Sequence, residues 1–495
     1  MQIAFIEESG YEISYSDLLS HATRVALFLQ EKGVRPGARV GMVLPRSIDS
    51  IAITFGLLMV GASRVSLDIF EPAHRIARIF QDCQPELVFA SEGLKPSPAE
   101  HGNSKENHPQ WIEIKGGFDR QFACVPATWQ PPELFSTVID SIAQIAYTSG
   151  STGAPKGVCL SHRSVDVFSQ WYKNHLKLTN NDRLSVVNSL SYAVTGIDIH
   201  ATIAAQATGI IISEKTLRDP RALLSYVEKS LPTSWCSVPA VLRSLADAAR
   251  EGHASLPMKS IVYCGANYPV GALRELAAVS PFARLYNSYG TTELGSWCLL
   301  KEIDRSKLGE TTEVSLGGRT PHFDFKLEVD DAGIGKTDGE LLASGPTLAT
   351  GYWNSPELSA AKFQTDANGS RWCRTGDILR RDISGEFSYV GRVDRMIKKN
   401  GIRLELGEIE YQIDSLPMVK QAAVVATTAL GAIKITAFVV PKKGQSVSII
   451  ALKAHCAKTL PLGVTPDQFR IIDELPLTTN GKVDFPKLQR EVEIS

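Results

Sequence analysis

No two of the chain's 8 cysteines stand at C-x-x-C spacing, which excludes a zinc ribbon and a dithiol redox pair. Scattered free thiols fit a reducing compartment. Long apolar runs are missing too. The longest lies near Ile51–Ala62 between Asp49 and Arg64, well short of the ~20 residues a membrane span needs. The opening MQIAFIEESGYEIS has no positive stretch ahead of an apolar one, so no secretory signal is expected. Charge of one sign is also scarce. Lys+Arg 52 against Asp+Glu 53 leaves −1, with no basic footprint for nucleic acid or anionic membrane and no acidic tail. No repeat of fixed period occurs. A cytoplasmic protein with neither nucleic-acid nor membrane partners is expected.

What is present is ordinary globular material: 495 residues, 43% hydrophobic and 21% charged, enough for a sizeable core. Apolar β-rich runs alternate with helical patterns. ARVGMVL, ELVFA, SIAQIAYT, SVVNSL and GIIIS read as strands, and SIDSIAITFGLLMVGA as a helix. Alternation of this kind predicts an α/β fold with much parallel sheet. Gly93–Phe135, rich in proline and polar residues, reads as a long surface excursion. Beyond about Ile378 the texture becomes that of a compact α+β unit. The charged turn Gly391–Arg395 is the candidate boundary, giving domains 1–393 and 394–495.

The stretch Tyr147–Gly157, YTSGSTGAPKG, carries the most chemistry. It follows a strand and supplies Gly150 and Gly153, the hydroxyls of Thr148, Ser149, Ser151 and Thr152, and Lys156. Glycines let backbone N–H groups approach an anion, hydroxyls donate to phosphate oxygens, and lysine adds a point charge. It is not a G-x-x-x-x-G-K-S/T loop. Read alone, it is equally a polar turn.

YTSGSTGAPKGV resembles the phosphate-loop signature of the adenylate-forming enzymes: acyl- and aryl-CoA ligases, luciferases and the adenylation domains of nonribosomal peptide synthetases. NSYGTTELG (Asn287–Gly295), GELLASGPTLATGYWN (Gly339–Asn354), RTGD (Arg374–Asp377), GRVDRMIKKNGIRLELGEIE (Gly391–Glu410) and LPLTTNGKVD (Leu475–Asp484) resemble the family's later motifs, in the same order. The RLELGEIE and NGK forms look most like the peptide-synthetase branch. The resemblance implies a large N-terminal domain of layered sheets and helices and a small mobile α+β C-terminal domain. It implies ATP and Mg2+ as cofactors. A carboxylic acid is activated as acyl-AMP, then handed to a thiol. No L-G-G-x-S-L phosphopantetheine site occurs in the chain, so the thiol is expected on a separate carrier protein, with free CoA as the alternative and a non-catalytic nucleotide-binding protein as the third reading.

Carried over by resemblance, Glu293 holds Mg2+, Thr292 bonds the α-phosphate and Tyr289 stacks on adenine. Asp377 takes the ribose hydroxyls and Arg392 lies near ribose or phosphate. Lys482 bridges the acid and the nucleotide, and Asp394 is the hinge. Each also has a plain reading, as a helix cap, core tyrosine, turn or surface cation. SLSYAVTGIDIH (Ser189–His200) departs from the family: Ala193 stands where amino-acid-activating members place an aspartate against the substrate ammonium. Since a buried unpaired ammonium costs several kcal/mol, either the acid lacks an α-amine, as a hydroxy, keto, aryl or short acyl acid does, or it is a neutral amino acid whose ammonium another carboxylate pairs. Asp198 is the weaker alternative partner. The same alignment lines the pocket with Ala193, Val194, Ile197, Cys236, Val262, Cys264, Ser288, Ser296 and Trp297, an apolar set suited to an uncharged side chain, with Trp297 shortening the floor. Thr291, Cys373 and Asn400 are further departures and remove no catalytic group.

Overall fold

A computed structural model describes residues 2–94, 109–114, 139–149, 155–193, 195–295, 297–311, 313–328, 338–399, 402–429, 432–459, 465–478 and 482–493. The chain forms two compact units. One comprises Met1–Asp324 with Ala343–Cys373, the other Phe325–Leu342 with Arg374–Ser495. The charged turn Gly391–Arg395 falls inside the second.

The first unit holds two large sheets. The nine-stranded sheet runs in the order Gly318–Arg319, Leu299–Glu302, Arg284–Tyr289, Ser260–Tyr263, Ser234–Ser237, Arg183–Val186, Thr208–Ile211, Ile3–Ile6, Glu12–Ser14. Its five middle pairings from Arg284–Tyr289 to Ile3–Ile6 are parallel where the chain alternates strand and helix, as that alternation requires. The seven-stranded sheet runs Gly351–Tyr352, Pro155–Ser161, Ile142–Ser149, Ser63–Leu67, Arg39–Val43, Leu87–Ser91, Gln110–Ile114. Strands such as Ser63–Leu67 are buried along their whole length, the pattern of a parallel strand covered on both faces.

The apolar run at Ile51 belongs to the helix Ile48–Met59, capped by a reciprocal Ser47–Ser50 box. It packs against the helix Tyr15–Glu31 through a shared core that includes Val25, Leu29, Ile51 and Ile53. No helix among the described residues is long and apolar enough to cross a membrane. One reading needs correction. Gly93–Phe135 is not all excursion, because Gln110–Ile114 (QWIEI) pairs in parallel with Leu87–Ser91 as an edge strand. Its residues are half-buried to exposed, so the strand carries no strong apolar signal.

The second unit is built on the hairpin of Arg371–Arg381 with Phe387–Arg392 and on the sheet Val419–Ala429, Ala432–Pro441, Gln468–Ile471. Alternation separates two apolar layers on that sheet. Val424, Ala437 and Val439 pack with Ile409, Ile413 and Leu452 of the helices Leu406–Asp414 and Ile449–Thr459. Val425, Phe438 and Val440 pack with Leu475 and with Leu488 of the helix Phe485–Glu493. Arg395 ties these parts. It donates to Glu410 (2.8 Å) and to the Val424 carbonyl (3.0 Å), and its guanidinium lies 3.8 Å from the Phe485 ring centroid.

Phe5 pairs with Gly209 across the parallel junction of Ile3–Ile6 and Thr208–Ile211, and a Cβ at Gly209 would overlap the Phe5 ring. Gly209→Val should therefore lose about 1–3 kcal/mol of stability through overpacking, read as a lower denaturation midpoint.

Candidate active site

The phosphate-loop motif folds as a hairpin. Ile142–Ser149 runs antiparallel to Pro155–Ser161, with Thr148 opposite Lys156 and Ser149 opposite Pro155. Its tip, with Gly150, Ser151, Thr152 and Gly153, lies outside the described residues. Lys156 is half-buried at the hairpin's end. Toward its tip, opposite Gly157, the hairpin is anchored by Tyr147, whose hydroxyl donates to Asp82 Oδ2 at 2.5 Å, and burial pushes that phenol far above its ordinary range. Asn354 Nδ2 donates to the Asp82 carbonyl at 2.8 Å, so both ends of the neighbourhood meet one residue of the helix Ala73–Cys83.

Glu293 reaches this hairpin through backbone bonding. It sits in the short turn Thr292–Leu294 that follows the strand Arg284–Tyr289, and its carbonyl accepts from Ala349 N at 2.9 Å. Thr347 Oγ1 donates to the Leu294 carbonyl at 2.8 Å. The same segment then bonds the hairpin: Thr350 N donates to the Cys159 carbonyl at 2.8 Å and Trp353 N to the Gly157 carbonyl at 2.7 Å. Gly295 closes the turn at φ 69°, where a Cβ would overlap the Thr347 carbonyl oxygen.

The Glu293 carboxylate is half-buried and accepts the Tyr352 hydroxyl on Oε1 at 2.7 Å. Burial acts to raise its pKa, but the charge of Lys362 and the Tyr352 hydrogen bond outweigh it and hold the carboxyl below its ordinary value. An ionised carboxylate with a second oxygen beyond Tyr352 suits a hard divalent cation whose remaining ligands are phosphate oxygens and water. No group of three or more metal-ligating side chains exists among the described residues. Thr292 and Tyr289 flank Glu293, both half-buried.

The proposed acid pocket gathers in the same unit. Ile197, Cys236, Val262, Cys264 and Trp297 belong to one apolar cluster, with Ser288 buried on the strand Arg284–Tyr289. Ala193 is half-buried in the turn before the helix Thr195–Ala205. Val194 and Ser296 lie outside the described residues. Asp198 is committed elsewhere. Its Oδ2 accepts Asn188 Nδ2 at 2.7 Å and the backbone N–H groups of Val187 and Asn188 at 3.4 Å. Burial pushes its carboxyl up to about 7 against the pull of those donors.

In the second unit Asp377 is buried and Arg392 half-buried, paired at 2.8 Å and opposed across the hairpin. Lys482 is exposed. Its carbonyl accepts from Thr478 N at 2.7 Å, and Leu477 bridges to Val483 behind it. Asp394 falls in the turn Val393–Arg395, with its side chain outside the described residues.

A family profile described as AMP-binding enzyme matches residues 2–353, and one described as AMP-binding enzyme C-terminal domain matches 408–482. The chain belongs to the AMP-binding enzyme family. It is an ATP-dependent, AMP-forming ligase. Syringomycin synthase SyrB1 of Pseudomonas syringae pv. syringae is 30% identical to this AMP-binding enzyme over 98% of the chain and 78% of its own length. An L-proline–[L-prolyl-carrier protein] ligase of Pseudomonas fluorescens is 28% identical over 99% and 96%. Against a dimodular nonribosomal peptide synthase of Bacillus subtilis identity is 30% over 96% of the chain, which spans only 19% of that protein. Among solved structures, ATP-bound MatB from Rhodopseudomonas palustris superposes with TM-score 0.86 at 22% identity over 99% of this chain and 96% of that one, a likeness of fold.

Motif reading missed Tyr352, Lys362 and Asp82. Tyr352 stands inside a quoted motif, yet nothing in its spacing ties it to Glu293. Tyr352→Phe removes the donor that helps hold Glu293 ionised, so the Glu293 pKa should rise. The acid limb of the rate profile should then move to higher pH, with weaker dependence on divalent cation, both measurable in steady-state kinetics. Gly295→Ala should cost more than about 1 kcal/mol in thermal denaturation and lower activity as the turn carrying Glu293 is displaced.

Proposed function

We propose that this AMP-binding enzyme activates a carboxylic acid without an α-amine as acyl-AMP and transfers it to the phosphopantetheine thiol of a separate carrier protein, in biosynthesis of the nonribosomal peptide type. The observation that carries the reading is the ionised, half-buried Glu293 tied by backbone bonds to the phosphate-loop hairpin. In the first step an acid oxygen attacks the α-phosphorus of ATP, the bond to pyrophosphate breaks, and acyl-AMP forms. In the second the thiol sulfur attacks the acyl carbon, AMP leaves, and the thiol proton passes to solvent.

Glu293 would hold Mg2+, which when bound neutralises phosphate charge. Thr148, Ser149, Gly150, Ser151, Thr152, Gly153 and Lys156 cradle the phosphates, and Thr292 bonds the α-phosphate. Tyr289 stacks on adenine. Asp377, fixed by Arg392, accepts the ribose hydroxyls, since a carboxylate offers two acceptor oxygens. Lys482 steadies the charge that builds on the oxygens in line with the break. Asp394 absorbs the rotation that brings residues 394–495 in for each step, against a core of 1–393. Support for a carrier acceptor over free CoA comes from the L-prolyl-carrier protein ligase that aligns end to end with this chain. The commitment of Asp198 to Asn188 supports an acid without an ammonium group.

The test is ATP–pyrophosphate exchange across α-amino, hydroxy, keto, aryl and short fatty acids, followed by acyl transfer to holo-carrier protein or CoA. Exchange should be strong with acids lacking an α-amine and weak with their amino counterparts. Lys482→Ala should lose adenylation by about two to three orders of magnitude while still transferring supplied acyl-AMP. Equal loss of both steps would contradict the role of Lys482.

A further inference from the structure

A buried cation sits in the seven-stranded sheet. Arg64, on the strand Ser63–Leu67, is 5% exposed, and both of its partners are neutral. Nη2 donates to Gln144 Oε1 at 2.7 Å and Nη1 to Thr54 Oγ1 at 3.3 Å. Thr54 donates its own proton to the Ser50 carbonyl at 2.9 Å, so toward Arg64 it acts as an acceptor. Burial lowers the guanidinium's pKa only to about 10, which leaves it charged at neutral pH. A cation among neutral partners is destabilising, and a methionine could fill the same space. A methionine could not orient Gln144.

A glutamine amide can present either its oxygen or its nitrogen, and a donor at one end decides which. With Arg64 on Oε1, the Nε2 group donates to the Tyr192 carbonyl at 3.4 Å. Gln144 pairs with Arg64 across the parallel junction and lies on the strand Ile142–Ser149, which runs into the phosphate-loop motif. Tyr192 precedes Ala193 in the turn ahead of the helix Thr195–Ala205. Gln144 thus joins the strand of the phosphate hairpin to the turn of the proposed acid pocket. Resting on the adenylation reading above, we infer that Arg64 is a positioning residue: through Gln144 it fixes the Tyr192 turn against the phosphate hairpin, and with it the line along which the acid approaches ATP.

The experiment is pyrophosphate exchange over the panel of acids above, with thermal denaturation of each protein. Gln144→Glu keeps an acceptor for Arg64 but removes the donor to Tyr192. It should hold the wild-type midpoint or exceed it, yet lose about tenfold or more in kcat for exchange, with KM for ATP unchanged. Gln144→Leu should lose as much. Adding Arg64→Met to Gln144→Leu should lose no more, because the guanidinium acts only through the amide. Wild-type kcat in a folded Gln144→Glu protein overturns the inference and leaves the adenylation reading intact. Additive losses in the double variant overturn it as well, since Arg64 would then act by another route. No exchange with any acid by the wild type overturns both. Should Gln144→Glu fail to fold, the comparison of Gln144→Leu with the double variant decides.

Discussion

The site depends on one run of backbone hydrogen bonds. Between Ala349 and Trp353 the main chain bonds on one side to the turn that carries Glu293, where the Thr347 hydroxyl adds a side-chain bond, and on the other to the Pro155–Ser161 arm of the hairpin. Side chains cannot fix such a relation as firmly, because each brings its own rotamer freedom, whereas main-chain groups in a ladder are held at both ends. A carboxylate on the nine-stranded sheet and a phosphate loop on the seven-stranded sheet thus keep a constant separation. The Tyr352 hydroxyl adds to this by coming from the same segment, so the group that orients the carboxylate moves with the strand that spaces it.

Charge is laid out in two zones. At the hairpin an ionised Glu293 stands near Lys362 and Lys156 is half-buried. Toward the proposed acid pocket two buried groups are pushed toward their neutral forms. The bond to Cys264 together with burial pushes the Cys236 thiol well above its ordinary value, and burial does the same for the Tyr172 phenol. Under the proposed function, a polar phosphate end and an uncharged acid end would let one site grip a polyanion while excluding a charged side chain, since a charge among those walls would go unpaired.

Much of this was legible in the chain, and the rest was hidden for physical reasons. The loop at Tyr147–Gly157 stood out because its glycine and hydroxyl content is unlike anything a core strand carries, while its antiparallel return strand did not. The strands within ARVGMVL, ELVFA and GIIIS were legible as plain apolar runs; Ser63–Leu67, Ser234–Ser237, Ser260–Tyr263 and Arg284–Tyr289, with serines or arginine in them, were not. The edge strand Gln110–Ile114 was not, since a half-exposed strand need not be apolar. Asp198 read as the weaker partner for an ammonium, and the tertiary bonds it makes to Val187 and Asn188 could not be read from spacing. Glu293 and Tyr352 meet only through tertiary structure, which no local pattern encodes.

The parallel junction of Ile3–Ile6 with Thr208–Ile211 has a consequence for how the protein is made. The ribosome delivers Ile3–Ile6 long before its neighbour exists, and a parallel pairing cannot be rehearsed by a local hairpin. Until Ile211 has emerged, this apolar strand has only Glu12–Ser14 to pair with, and its other edge stays open. The nine-stranded sheet therefore closes late in synthesis. Until then that open edge is a template for pairing with other chains, a hazard set by the order of strands in the sheet.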